Sequence, residues 1–219
     1  MSASLPIACT KPRTANGPKN IDGPSVGILT YGSLIFDPKC EIKDGRIRTI
    51  HDVMTPFHVE FVRSSNKRGG APTLVPVMTA ETCVKGKVFV IKFDEEATDV
   101  LDRREINKVC TGKRFPRHRV ANEKRVIVER LTEFAGLEVV LYTQTAANIE
   151  PITAEEFAEL AIKSVHKKGP PYDGINCLID AKKHGIVTAL SPGYEAAILQ
   201  RLGCGTLKEA LVPALDSSA

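Results

Sequence analysis

The stretch Gly27-Ile28-Leu29-Thr30-Tyr31-Gly32-Ser33-Leu34-Ile35-Phe36-Asp37-Pro38 decides how this chain folds. Its first residues are mostly apolar, and the run ends abruptly at Tyr31–Leu34. This pattern predicts a buried strand over 26–31 that opens into a tight turn, whose main-chain N–H groups point outward. A glycine at this turn permits close approach to a ligand, so the turn could bind a carboxylate or stabilise an oxyanion. An ordinary β-turn after a core strand explains the same residues equally well.

Length and composition indicate one globular domain with a terminal extension. The chain has 219 residues and a net charge of +4, which calls for neither a nucleic-acid nor an anionic-membrane partner. We expect a disordered tail over 1–22 and a single domain over 23–212 with a helical C-terminal part. Neither a membrane span nor a secretory signal is evident, so we expect a cytoplasmic protein.

The cysteines and histidines are scattered along the chain. None of the six cysteines forms a C-x-x-C pair, which is typical of free thiols in a reducing compartment. The five histidines show no metal-ligand spacing, so a structural zinc site is not expected.

Alternating apolar and polar residues predict most of the remaining strands. Residues 41–55 are polar, and we expect a loop there. The expected strands cover 57–63, 73–77, 83–91, 125–129 and 137–142. Pro76 favours an edge position for the strand over 73–77, and Gly136 marks a turn between the last two strands.

A helix is predicted over about 95–106, with Asp94 as its N-cap. Residues Ala97, Leu101 and Glu105 follow one another at intervals of four, so they share one helix face. That face is apolar and should contact the core, which places the Glu105 carboxylate inward. Burial of a carboxylate costs free energy, so an inward acid indicates either a functional role or an ion pair. Most acidic residues in helices form ion pairs, and Arg103 or Arg104 is available as a partner.

Helices dominate the C-terminal part. Thr153 and Glu156 form a capping box ahead of a helix that continues to about Val165. Two more helices are expected over 175–184 and 195–202, with Gly185 and Gly203 at their C-terminal ends.

A semi-buried carboxylate beside an oxyanion-binding turn suffices for acyl transfer. Burial raises the pKa of such a carboxyl group, so that it can take a proton from an ammonium group and return one to a leaving amine. If the substrate supplies its own nucleophile, this acyl transfer needs no cofactor, metal or catalytic cysteine. Tyr142 could reach the same place from the end of its strand, although a strand tyrosine is more often only a packing residue.

Other chemistries fit the sequence less well. Ser33 lacks the Gly-x-Ser-x-Gly context of a nucleophile, and the turn is not a Walker loop. Cys110 lies near several cations but is a weak candidate for a catalytic thiol. The basic segment 113–130 could bind phosphates, yet a solvated hairpin face explains it better.

Five motifs in this order resemble the ChaC branch of the gamma-glutamylcyclotransferases. The resemblance covers about 26–205, and the motifs are Tyr31-Gly-Ser-Leu-Ile-Phe-Asp-Pro38, Ser65-Asn-Lys-Arg-Gly-Gly-Ala-Pro72, Cys83-Val-Lys-Gly-Lys-Val-Phe89, Leu101-Asp-Arg-Arg-Glu105 and Val139-Val-Leu-Tyr142.

The resemblance implies an α+β fold, a small mixed β-barrel with flanking helices. It also implies a lyase that breaks a carbon–nitrogen bond: the α-amine attacks the γ-glutamyl amide and releases 5-oxoproline from glutathione or another γ-glutamyl compound. Tyr31, Gly32, Ser33, Leu34 and Tyr142 would then bind the substrate. Glu105 would be the catalytic acid and base, and no cofactor or metal would be involved.

Two alternatives remain open at this point. The same scaffold could bind a γ-glutamyl-like ligand without turnover, or residues 113–130 could bind phosphates or nucleic acid. The sequence specifies neither the leaving amine nor the oligomeric state.

Overall fold

The computed structural model describes residues 25–77, 82–92, 97–98, 100–101 and 126–216, and every structural statement below concerns these residues. The expected tail, Glu105 and most of the basic segment lie outside them. The strands and α-helices with defined bounds are β1 (Ser25–Thr30), α1 (Ser33–Phe36), α2 (Lys39–Gly45), β2 (Arg46–Ser65), β3 (Ala71–Val77), β4 (Cys83–Lys92), β5 (Ile127–Phe134), β6 (Leu137–Gln144), α3 (Ala154–Lys168), α4 (Gly174–Lys183), α5 (Ser191–Leu202) and α6 (Leu207–Asp216). A 3₁₀ helix covers Asn66–Arg68.

The strands form one mixed sheet in the order β3-β2-β4-β1-β6-β5. β1 is antiparallel to β4 and parallel to β6, whereas β2–β3 and β5–β6 are antiparallel pairs. This arrangement confirms the predicted α+β fold with a mixed sheet and flanking helices. It also confirms the edge position of β3, where Pro76 needs no donor on its outer side.

The described residues group into two compact units. The strand unit comprises 25–56, 86–92, 97–98, 100–101 and 126–146. The helical unit comprises 57–77, 82–85 and 147–216. The single domain over 23–212 stays a prediction.

The strand unit has its own hydrophobic core. Because Ile28 is level with Phe89 on β4 and with Leu141 on β6, these side chains lie on one face of the sheet. The core cluster on that face contains Val26, Ile28, Leu34, Ile42, Phe89, Ile91, Ala97, Leu101 and Leu141. Burial of these apolar side chains is the main force that holds α1 and α2 against the sheet.

The predicted loop over 41–55 is wrong. Residues 39–45 form α2, and β2 already begins at Arg46. The first half of β2 is mostly exposed, with Ile47 46% accessible, so no apolar alternation marks it. The segment is therefore a strand that a local hydrophobic pattern does not predict.

The helical unit follows the local signals of the sequence closely. The Thr153 side chain accepts a hydrogen bond from the Glu156 N–H at 3.2 Å, which confirms the predicted N-cap of α3. Gly185 and Gly203 adopt positive φ after α4 and α5, as expected of helix ends. Asp173 caps α4, since its side chain accepts a hydrogen bond from the Asn176 N–H at 2.9 Å. The helix α6 was not predicted from the sequence.

The expectation of free thiols is wrong for two cysteines. Cys40 and Cys83 each take part in a disulfide bond, whereas Cys177 and Cys204 are free. Spacing along the chain did not reveal these bonds, because a disulfide depends on which cysteines the fold brings together. No helix in the described ranges is both long enough and apolar enough to cross a membrane.

Candidate functional site

Two parallel strands end side by side next to the Tyr31 turn. Gly27 is level with Val140 and Ile28 with Leu141, so β1 and β6 run to the same edge of the sheet. The Tyr31 hydroxyl donates a hydrogen bond to the Thr143 main-chain carbonyl, one residue after Tyr142. The structure therefore brings together the predicted turn and the strand end that carries the predicted tyrosine.

The turn itself passes directly into a short helix. After Gly32 (φ −153°, ψ −137°), residues Ser33–Phe36 form the single turn of α1. The Ile35 N–H donates to the Gly32 carbonyl at 2.9 Å, and the Asp37 N–H donates to the Ser33 carbonyl at 2.9 Å. These two bonds fix the backbone path through the motif.

Leu34 anchors the turn to the core. Its side chain is buried in the cluster that also contains Ile42 and Leu101. Ligand contacts through the Leu34 side chain would require it to leave that core, so its main chain is the part suited to bind a ligand.

Two glycines allow the strands around the turn to approach closely. A Cβ atom at Gly86 would lie 2.5 Å from the Thr30 carbonyl oxygen, and one at Gly27 would lie 2.7 Å from side-chain atoms of Leu137 and Val88. The Thr30 hydroxyl also donates to the Lys87 carbonyl at 2.9 Å. Sequence reasoning gave no role to Thr30 or Gly86, although a glycine inside a strand is itself a signal of close backbone approach.

Tyr142 lies on the face opposite Ile28 and Leu141, because neighbouring strand residues point to opposite faces. Its cross-strand neighbour on β5 is Glu129. Burial, together with the negative charge of Glu129, raises the pKa of Tyr142 to about 12. A phenol is protonated at neutral pH even at its ordinary pKa, so the shift extends the protonated form of Tyr142 into alkaline solution.

The predicted inward helix face is confirmed where the structure describes it. Residues 97, 98, 100 and 101 are helical, and Ala97 and Leu101 are buried in the same cluster as Leu34. Glu105, the next position at this spacing, lies outside the described residues.

The helical unit contains a different buried acid, Glu60, which is 2% exposed. Its carboxylate accepts hydrogen bonds from the Phe61 N–H at 2.9 Å, the Thr188 hydroxyl at 2.6 Å and the Leu190 N–H at 3.0 Å. A carboxylate with three donors is stabilised in place. Glu60 therefore ties β2 to the segment before α5 and is not a candidate catalytic acid.

Within the described ranges, no three His, Cys, Asp or Glu side chains lie close enough together to hold a metal ion. The arrangement in the strand unit offers instead a main-chain turn held by Tyr31 and a protonated phenol at Tyr142. These groups can bind a polar ligand and donate hydrogen bonds to a carbonyl or carboxylate oxygen.

Comparison with known proteins identifies the family. The family model described as ChaC-like protein matches residues 26–200, which include the Tyr31 turn, Leu101 and Tyr142. No curated protein matches the chain. Since the match covers most of the 219 residues, the chain belongs to the ChaC-like family.

Proposed function

We propose that this protein is a γ-glutamylcyclotransferase. The substrate is a γ-glutamyl amide, and the products are 5-oxoproline and a free amine or peptide. Membership of the ChaC-like family, which is of γ-glutamylcyclotransferase type, supports the reaction class. The observation that carries the proposal is the hydrogen bond from Tyr31 to Thr143, because it joins the turn to the strand end that bears Tyr142.

In this proposal the turn binds the γ-glutamyl group through its main chain. The hydroxyl of Tyr31 is engaged with Thr143 and the side chain of Leu34 is buried. Contacts with substrate would therefore come from the backbone of residues 32–34, with Tyr31 as a positioning residue. Tyr142 faces away from the cluster that contains Leu34, but it lies two residues from the end of β6. We propose that its phenol reaches the substrate around that strand end and donates a hydrogen bond to it.

Glu105 is the proposed acid and base. Its carboxylate removes a proton from the substrate α-ammonium group, and the resulting amine attacks the γ-carbonyl carbon. Glu105 then returns the proton to the leaving nitrogen as the amide C–N bond breaks. The attacking nitrogen also gives up its second proton, which ends on the released amine, so the products are the neutral lactam and an ammonium group. No water is consumed, since the nucleophile belongs to the substrate.

The burial of Ala97 and Leu101 supports this role for Glu105. Both side chains lie in the cluster that contains Leu34 of the turn, and Glu105 follows Leu101 at the same helical spacing. A helix that continued one more turn would carry its carboxylate along the face that is already directed at this cluster.

The proposal also covers the identity of the substrate and the cellular location. We propose glutathione or another γ-glutamyl compound as the substrate and the cytoplasm as the location. The disulfide bonds of Cys40 and Cys83 are unusual for a reducing compartment. Cell fractionation combined with peptide mapping under non-reducing conditions tests the location and the bonds together.

The decisive experiment is an assay of 5-oxoproline release from glutathione and from γ-glutamyl amino acids. Glu105→Gln removes the proposed acid and base while keeping the side-chain size. Glu138→Gln is the matched control, since Glu138 is exposed on β6. Thermal stabilisation by these compounds without any product would favour a non-catalytic binding protein instead.

A further inference from the structure

The helical unit contains a cleft that the proposed reaction does not use. It has a volume of about 440 Å³ and lies between the turn after β2, including Asn66 and Gly69, and the C-terminal half of α3. Ligand sites in proteins commonly have volumes of about 300–1,000 Å³. The cleft is therefore large enough for a small molecule.

The charged groups that line the cleft share one sign. The α3 wall contributes Leu160 and the three lysines Lys163, Lys167 and Lys168, and no acidic side chain is among the described residues that line it. Glu159, one turn before Lys163, forms an ion pair with that lysine. The lining as a whole remains strongly positive.

The position of these lysines at the C-terminal end of α3 could by itself account for their positive charge. Cations there offset the partial negative charge of the helix end, which is about half an elementary charge. Three ammonium groups exceed that charge several-fold, even after Glu159 neutralises one of them. The surplus positive charge is available to a ligand.

Tight packing at Gly69 holds the stems of two of these lysines. Gly69 has a φ of +67°, and a Cβ atom there would lie 2.9 Å from Lys167 Cβ and 3.1 Å from Lys168 Cγ. The turn therefore lies directly on both stems. Side chains that are already restrained lose less entropy when they bind a ligand.

We propose that this cleft binds a small molecule that carries phosphate groups. A phosphate group carries about −1.5 to −2 charges at neutral pH and three acceptor oxygens, more than a single carboxylate, so it gains more from a cluster of lysine ammonium groups. No aromatic side chain is among the described lining residues, so a nucleotide base would have no ring to stack on. Asn66, in the turn that forms the opposite wall, adds a neutral hydrogen-bonding group.

Calorimetric titration with pyrophosphate, at constant ionic strength and with a chelator present, tests this site. We expect saturable binding at one site and weakening of about tenfold in Lys167→Gln/Lys168→Gln, which corresponds to about 1.4 kcal/mol for the two lost ion contacts together. Lys208→Gln, on α6 and away from the cleft, should bind within about twofold of the unchanged protein.

A second variant and a second ligand keep the result interpretable. Asn66→Asp adds a negative charge without changing side-chain size, so it should also weaken pyrophosphate binding. It provides the test if the double lysine variant does not fold. Citrate provides a carboxylate of comparable charge. Absence of saturable pyrophosphate binding, equal binding to both lysine variants, or citrate binding as tight as pyrophosphate binding would overturn the proposal.

Discussion

The Tyr31 hydroxyl donates a hydrogen bond to the Thr143 main-chain carbonyl across 112 residues of sequence. This bond links the end of β1 to the end of β6. The two strands are neighbours there because they pair in parallel register. One phenol group therefore ties the turn that follows β1 to the end of β6.

Tyr31→Phe is expected to lower both stability and activity. The variant loses one partly buried hydrogen bond, which contributes about 0.5–1.5 kcal/mol to the free energy of unfolding. Urea denaturation measures that loss, and 5-oxoproline release measures kcat/KM. If neither changes, Tyr31 does not position the turn.

Gly86→Ala should be more damaging than its size suggests. The added Cβ would lie 2.5 Å from the Thr30 carbonyl oxygen, a backbone atom that cannot rotate away. We expect destabilisation of about 1–3 kcal/mol, together with reduced activity because Thr30 leads into the turn. Gly45→Ala is the matched control: a Cβ there meets nothing within 4 Å, so its stability should be unchanged or slightly higher. Equal stability of the two variants would show that the close approach at Gly86 is unimportant.

The ionisation of Tyr142 should appear late in an alkaline titration. Its pKa is raised from 10.0 to about 12, first by burial and then by Glu129. Because the folded pKa lies above the unfolded one, the contribution of Tyr142 to stability is complete below pH 10 and is lost as the pH rises towards 12.

Ultraviolet absorbance of tyrosinate and unfolding measurements at several alkaline pH values test this expectation. The difference between the unchanged protein and Tyr142→Phe isolates this group from the other tyrosines. A tyrosinate signal from Tyr142 with a midpoint near pH 10 would contradict the described burial.

Glu60→Gln is expected to destabilise the helical unit without affecting catalysis directly. The amide keeps one acceptor oxygen but presents an NH₂ group to donors such as the Thr188 hydroxyl or the Leu190 N–H. Loss of hydrogen bonds to a charged group costs about 1.5–3 kcal/mol. Urea denaturation should show this loss, while the exposed Glu155→Gln control remains within about 0.5 kcal/mol of the unchanged protein. A stable Glu60→Gln variant would mean that the three contacts contribute little.

Local signals in the sequence predicted the elements that depend on them. The apolar run before Tyr31 gave β1, Gly136 gave the turn between β5 and β6, and Thr153 with Glu156 gave the start of α3. Each of these features acts within a few residues, so a short stretch of chain contains the whole cause.

Features that depend on distant partners could not be predicted in the same way. The disulfide bonds of Cys40 and Cys83 depend on which cysteines the fold brings together. Glu60 reads as one polar residue in an alternating strand, yet its donors come from positions 188 and 190.

The candidate site also combines features that the sequence predicts with features that only the folded sheet shows. The motif at Tyr31–Leu34 and the spacing of Ala97 with Leu101 are visible in the sequence, and the burial of Leu34, Ala97 and Leu101 agrees with it. The register that sets β1 beside β6, and with it the bond to Thr143, is a property of the assembled sheet.

The most direct test of the proposed function is the rate of 5-oxoproline release from a γ-glutamyl substrate by Glu105→Gln, measured beside Glu138→Gln. The proposed mechanism predicts that Glu105→Gln loses about 10²–10⁴-fold in kcat while it still binds the substrate, and that Glu138→Gln keeps the full rate. Undiminished release of 5-oxoproline by Glu105→Gln would contradict the mechanism.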